Sequence, residues 1–208
     1  MTLSPVLIDG VGVVASGSLL DAVLAAGIDL PHLCKDDNLP AIGACRTCLV
    51  EADGRIVASC SIPAASVKEA NTSSERAIRL RGAVLALTAA MIAPGSDGGG
   101  PLGGTARTTF VAHSLAGAAF ARSTGENVDA TNPFFSFHEE ACILCARCVT
   151  ACQVLQHISA IGMSGRARGT RVTPGAGATF RDSICTSCGS CVAACPTTAL
   201  RPKMELSP

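Results

Sequence analysis

The chain opens on two short apolar runs, Leu3–Ile8 and Val11–Ala15, on either side of Asp9-Gly10. An Asp-Gly step between β-type runs is a strong hairpin signal, because both residues accept the positive φ of a tight turn. Ser18 with Asp21 three residues on has the form of a helix start, and Leu19, Leu20, Val23 and Leu24 recur at helical spacing to make one apolar face. Gly27 is the expected stop. Two further β-type runs, Thr47–Glu51 and Arg55–Ser59, are joined by a second Asp-Gly, Asp53-Gly54. Beyond them the pattern predicts a helix over Ser74 to Ile92, ended by Pro94-Gly95, then a Gly-rich linker over Gly95–Gly104 and a second short helix from Ser114 to Arg122.

Charge adds an exclusion. The 208 residues carry 16 basic and 16 acidic side chains, a formal net charge of zero. A nucleic-acid partner would call for a basic excess, and there is none. The longest apolar stretch, Gly82 to Ala93, is too short for a bilayer span, which needs about 20 residues. The first residues lack the basic, apolar, small-residue order of a signal peptide.

Twelve cysteines change the picture more than any other feature. They suit either an oxidised disulfide scaffold or a reduced compartment in which thiolates hold metal. Without a signal peptide the cytoplasm is expected, and there the cysteines read as metal ligands. Their distribution divides the chain into residues 1–72 with four cysteines, a connector over 73–130 with none, and 131–202 with eight. Hairpin, helix, then more strand in the first region is the order of a β-grasp domain.

The last region contains an internal repeat. Cys142, Cys145 and Cys148 are matched by Cys185, Cys188 and Cys191, and each run is closed four positions later by Cys152 or Cys195. Three thiolates on one tight loop can meet three corners of a [4Fe–4S] cube, and the fourth cysteine of such a run ligates the other cluster in two-cluster ferredoxins. The expected sets are therefore crossed: Cys142, Cys145, Cys148 and Cys195 on one cluster, Cys152, Cys185, Cys188 and Cys191 on the other. Pro196 follows the second run, where Gln153 follows the first. Zinc is the competing reading, but zinc sites favour two separated Cys-x2-Cys pairs per ion and fit these runs poorly.

In the first region Cys34 is followed after ten residues by Cys45 and Cys48, and after eleven more by Cys60. The plant-type [2Fe–2S] pattern has a shorter first gap, but the Cys-x2-Cys pair and the remote fourth ligand are both present. Gly43-Ala44 leaves room for backbone N–H groups near sulfide. A zinc site from the same four thiols is the alternative. His32, beside Cys34, reads as a surface or packing residue; His113, His138 and His157 lack a paired ligand at metal spacing, Gly95–Gly104 lacks the Lys-Ser/Thr of a phosphate loop, and Phe134, Phe135 and Phe137 read as core or interface. No nucleophile–base pair or catalytic carboxylate pair is evident, so no catalytic residue is assigned.

These motifs resemble a known arrangement. Ser18–Ala22, Ile28–Cys34 and Gly43–Cys48 are similar to the [2Fe–2S] segment of the large iron–sulfur subunit of respiratory complex I, of NAD-linked formate dehydrogenase α subunits, and of the small diaphorase subunit of NAD-reducing hydrogenases. Asn132–Phe135, Cys142–Cys148 and Asp182–Cys185 most resemble the formate dehydrogenase version. The resemblance implies an α+β chain: an N-terminal β-grasp [2Fe–2S] ferredoxin domain, a helical connector, and a C-terminal bacterial-type domain with two [4Fe–4S] clusters. It implies an electron-relay subunit between a flavoprotein that handles NAD(P) and a molybdenum- or tungsten-pterin or nickel–iron catalytic subunit on a separate polypeptide. The rivals are a hydrogenase subunit, a freestanding multi-cluster ferredoxin carrier and a zinc-stabilised interaction module. One departure stands out: the family usually has a His and three cysteines in the connector for a further [4Fe–4S] cluster, and here His113 stands alone, so that cluster is expected to be missing.

Overall fold

The computed structural model describes residues 5–92, 127–175 and 177–203. The chain forms two compact units, Met1–Lys35 with Ala41–Ala86, and Asp36–Pro40 with Leu87–Pro208.

In the first unit, β1 (Pro5–Ile8) and β2 (Val11–Val14) pair antiparallel with Ile8 opposite Val11. Asp9 and Gly10 have φ of 49° and 83°, so both residues between the strands take the positive φ that the sequence suggested. Helix α1 (Leu19–Ala25) begins with a full capping box: Ser18 Oγ accepts from the Asp21 N–H, and the Asp21 carboxylate accepts from the Ser18 N–H. The helix ends at Ala26, and Gly27 follows with φ 77°. Its buried face, Leu19, Leu20, Ala22 and Val23, joins Val6, Ile8 and Val50 in the core. Each large aliphatic side chain among them contributes about 1.5–3 kcal/mol by leaving water. Strands β3 (Leu49–Ala52) and β4 (Arg55–Ala58) form the second hairpin, with Asp53 and Gly54 at φ 47° and 76°.

The sequence pattern does not show β5 (Glu69–Asn71), yet it lies at the centre of the five-stranded sheet, in the order β2-β1-β5-β3-β4. It is three residues long with only Ala70 buried, too short for any period to register. Both turn aspartates hold it. Asp53 accepts from the Lys68 and Glu69 N–H groups, and Asp9 accepts from the Thr72 N–H and hydroxyl. The residues that turn the two hairpins thus also fix the strand between them.

Helix α2 (Glu75–Ala89) starts after Ser74, whose Oγ accepts from the Ala77 N–H. Regular helix stops short of the expected Ile92, and Met91 and Ile92 close it with bonds to carbonyls three residues back. The expected linker over 95–104, the helix over 114–122 and His113 lie outside the described residues.

In the second unit, β7 (Phe135–His138) is the middle strand of a three-stranded antiparallel sheet between β6 (Val128–Asp129) and β10 (Leu200–Pro202). A separate hairpin joins β8 (Ile161–Ser164) to β9 (Arg171–Pro174). Strand alternation buries Phe135 and Phe137, and both rings meet Phe180 edge-on at centroid distances of 5.1 and 6.1 Å. Phe134, read with them as core or interface, is 53% exposed and lies outside this core. The short helices α3 (Arg147–Thr150), which runs on into a wider π-type turn over Ala151–Leu155, and α4 (Ser190–Ala194) pack together over this core. The same unit takes in residues 36–40: Asp36 pairs with Arg147, and Leu39 packs on Ala151 and Ala194.

Candidate metal centres

None of the twelve cysteines is joined in a disulfide. In the first unit Cys48 immediately precedes β3, and Cys60 lies in the 3-10 turn Ser59–Ser61 that follows β4, so the hairpin brings together two thiols distant in sequence. Ser59 ties the two ends, its N–H and hydroxyl both donating to the Cys48 carbonyl. Cys34, Cys48 and Cys60 are buried and Cys45 is half-buried. The Cys34 N–H points at Cys45 Sγ, 3.3 Å away, and the Gly43 N–H reaches Cys60. Gly43 has φ 67°, which favours glycine, and a Cβ there would fall 2.7 Å from Ser61 Oγ and displace that hydroxyl.

Thr47 has no exposed surface. Its Oγ1 accepts from the Leu33 N–H at 3.1 Å and lies 3.1 Å from Cys45 Sγ. A hydroxyl that accepts from Leu33 keeps its own proton to give to sulfur. Hydrogen bonds among the four thiols favour charge on two of them over the other two. The Cys34 thiol, together with Thr47, lowers Cys45 to about 6, and the thiols of Cys34 and Cys48 lower Cys60 further. Cys34 and Cys48 are correspondingly raised.

The second unit repeats one loop geometry twice. Leu144 and Ala146 have φ of 54° and 63°, and their counterparts Ser187 and Gly189 have 57° and 80°. Non-glycine residues rarely adopt this left-handed region, and here it curls each loop so that N–H groups face sulfur. The Leu144 N–H lies 3.4 Å from Cys142 Sγ, and the Ser187 N–H 3.4 Å from Cys185 Sγ. Arg147 and Ser190 do the same for Cys145 and Cys188.

Two cavities open beside these loops. One is lined by Cys142, Cys145, Cys148 and Cys195, walled by Phe137, Val172 and Leu200. The other is lined by Cys152, Cys185, Cys188 and Cys191, walled by Phe135, Ile158 and Ile161. Each brings three thiols of one run together with the last thiol of the other. Burial pushes Cys145 and Cys191 up to about 12, and raises Cys148 well above an ordinary thiol. Cys188 is exposed and sits below the ordinary value: burial opposes ionisation, but the Ser190 N–H and hydroxyl outweigh it.

The donor set tests what could occupy these places. Sulfur is the only metal-binding side-chain atom of the His, Cys, Asp and Glu types in either four-cysteine cavity, which suits soft or sulfide-bridged metal. Backbone N–H groups aimed at sulfur suit a group with negative charge on its sulfur atoms. Among the described residues no three His, Cys, Asp or Glu side chains are arranged to hold one metal ion. The residues present fit iron–sulfur clusters.

Comparison with known proteins agrees at the level of domains. Residues 6–75 match the 2Fe-2S iron-sulfur cluster binding domain, and residues 141–199 match the 4Fe-4S dicluster domain. The chain is an iron–sulfur protein with both domains. This iron–sulfur chain is 30% identical over 202 residues to a putative formate dehydrogenase, YrhE of Bacillus subtilis (strain 168), spanning 92% of the chain and 20% of that relative. It is 32% identical over 142 residues to a subunit of the NADH-quinone oxidoreductase of Escherichia coli (strain K12), spanning 64% of the chain and 16% of the relative. Among solved structures it superposes with a TM-score of 0.83 on a chain of NAD+-reducing [NiFe]-hydrogenase in the H2-reduced state, at 27% identity, covering 99% of this chain and 90% of that one. The chain thus spans about a fifth or less of the length of the two curated relatives. Among the described residues no helix is long and apolar enough to cross a membrane.

Two residues at these centres lie in motifs that carry the resemblance, yet the sequence assigned neither a role. Thr47 sits between two cysteines, but nothing in the spacing marks its hydroxyl. Asn132 lies 53 residues from Cys185 and reaches it only through the fold.

Proposed function

We propose that the chain is an electron-relay subunit of a multi-subunit oxidoreductase with three clusters. A [2Fe–2S] cluster is assigned to Cys34, Cys45, Cys48 and Cys60. One [4Fe–4S] cluster is assigned to Cys142, Cys145, Cys148 and Cys195, and a second to Cys152, Cys185, Cys188 and Cys191. The observation that carries this reading is the pair of cavities in the second unit, each walled by four thiols drawn from both copies of the repeat. Bound there, such clusters supply one-electron chemistry, linking a two-electron site to a flavin or another acceptor. The chain's part is to hold the sulfur donors in place, aim N–H groups at them, and keep water away with Phe135, Phe137 and the aliphatic walls. Cysteines that serve as cluster ligands and not as disulfides suit a reducing cytoplasm.

The partners proposed are a flavoprotein that handles NAD(P) and a pterin-dependent formate dehydrogenase subunit, on the strength of the similarity to YrhE along 92% of the chain. A nickel–iron catalytic subunit is the second reading, favoured by the superposition on NAD+-reducing [NiFe]-hydrogenase. Anaerobic affinity purification of the tagged chain from its native cell tests both. Co-recovery of a flavoprotein and a pterin subunit in fixed ratio, with formate-dependent NAD(P)+ reduction, is the expected result. H2-dependent reduction with a nickel–iron subunit establishes the second reading. Recovery of the chain alone, brown and intact, makes it a freestanding carrier.

A further inference from the structure

Asn132 is 2% exposed, and a primary amide is costly to bury unless its hydrogen-bonding capacity is used. Its orientation is set by its neighbours. The Phe134 N–H donates to Oδ1 at 2.9 Å, so the carbonyl end faces its own turn and the NH2 end faces the cysteine loop. There Nδ2 donates to Ser187 Oγ at 2.9 Å and approaches Cys185 Sγ at 3.9 Å. Lys203 Nζ, at 2.6 Å from the Asn132 backbone carbonyl oxygen, fixes the main chain behind it. The amide therefore arrives on Cys185 from outside the cysteine loop, across 53 residues of sequence.

Cys185 then has two N–H donors, the Ser187 backbone at 3.4 Å and the Asn132 amide. On the same cavity, Cys152 receives the Ala160 N–H at 3.2 Å, and Cys188 is exposed with Ser190 Oγ at 3.7 Å. A reduced cluster held there would carry one more negative charge, part of it on its sulfur atoms, so an N–H donor to a ligating sulfur would favour the reduced over the oxidised form. Hydrogen bonds to sulfur and solvent exposure are among the factors that set the potential of such a cluster. A donor that only tied Asn132 to the loop would need no more than its bonds to Phe134 and Ser187. The approach to Cys185 is additional.

We infer that Asn132 is a positioning residue that raises the reduction potential of the four-iron cluster assigned to Cys152, Cys185, Cys188 and Cys191, through its side-chain N–H on Cys185. The inference rests on the ligand sets proposed above. The test is an anaerobic redox titration, followed by electron paramagnetic resonance, of the full chain and of its Asn132→Leu and Asn132→Ala variants, with iron and sulfide measured on each sample. Leucine keeps the volume and removes the donor, whereas alanine opens space for a water that partly replaces it. The expected result is a shift of one four-iron centre to lower potential, larger for Asn132→Leu, with the other four-iron centre and the two-iron centre unmoved. Unchanged potentials in a fully loaded variant overturn the inference, as does an equal shift of both four-iron centres. Loss of one cluster in both variants also overturns it and makes Asn132 a scaffold residue. If the unaltered chain does not hold two four-iron clusters, the reading beneath the inference fails instead, and the iron and sulfide values distinguish that outcome.

Discussion

Thr47 shows how one side chain can serve stability and electronics together. It accepts from the Leu33 N–H and can donate to Cys45 Sγ, with no surface exposed to water. Thr47→Val keeps the shape and removes both bonds. The unpaired Leu33 N–H should cost about 1–3 kcal/mol, and the lost donor should move the two-iron centre to lower potential, while Thr47→Ser preserves both. Thermal unfolding and a redox titration of the two variants check this. Asp21 is a simpler case. Burial opposes its ionisation, but the Ser18 N–H and hydroxyl and Lys35 together hold its carboxyl below the usual range. A lowered folded value means its stabilisation is present above the ordinary carboxylate range and is lost as pH falls through the folded value. Asp21→Asn should therefore destabilise by about 1 kcal/mol at neutral pH, and the two melting temperatures should converge in acid. The proposed ligands stood out in the sequence where thiols share one loop at short, fixed spacing, as Cys45 with Cys48 and in the two Cys-x2-Cys-x2-Cys runs do. The roles of Thr47 and Asn132 did not, because tertiary folding chooses their partners.

Among the elements, the two hairpins and α1 were legible for local reasons: Asp-Gly requires positive φ, and Ser18 with Asp21 closes a capping box within one turn. Strand β5 was not, since its place comes from Asp9 and Asp53, carboxylates already committed to turns elsewhere. The early end of α2 was equally hidden, because its last residues still look helical and only the hydrogen-bond pattern shortens. In the cysteine runs the spacing was plain, while the left-handed backbone at Leu144, Ala146 and Ser187 was not, none of these being glycine. The crossed ligand sets proposed above make an element-level prediction. Cys195→Ser should remove about four iron atoms per chain and silence the cluster of the first run, leaving that of Cys185, Cys188 and Cys191. Iron analysis and the spectrum of the surviving centre decide it. Loss of the second-run signal in its place would show that each run keeps its own fourth cysteine.

At the scale of the whole molecule, each unit has its own core, aliphatic in the first and built around Phe135, Phe137 and Phe180 in the second. The detail that residues 36–40 belong with the second unit was invisible, since it depends on Asp36 meeting Arg147 and on Leu39 meeting Ala151 and Ala194. A relay requires every thiol set to be filled at once, because a missing cluster would break or lengthen the path. The most direct test is metal and sulfide analysis with Mössbauer spectroscopy on the anaerobically purified, iron-57-labelled chain. Three clusters require about ten iron atoms and about ten sulfides per chain, with about one-fifth of the iron in a two-iron cluster and the rest in four-iron clusters. Zinc in place of iron, or iron in four-iron clusters alone, would contradict the three-cluster reading.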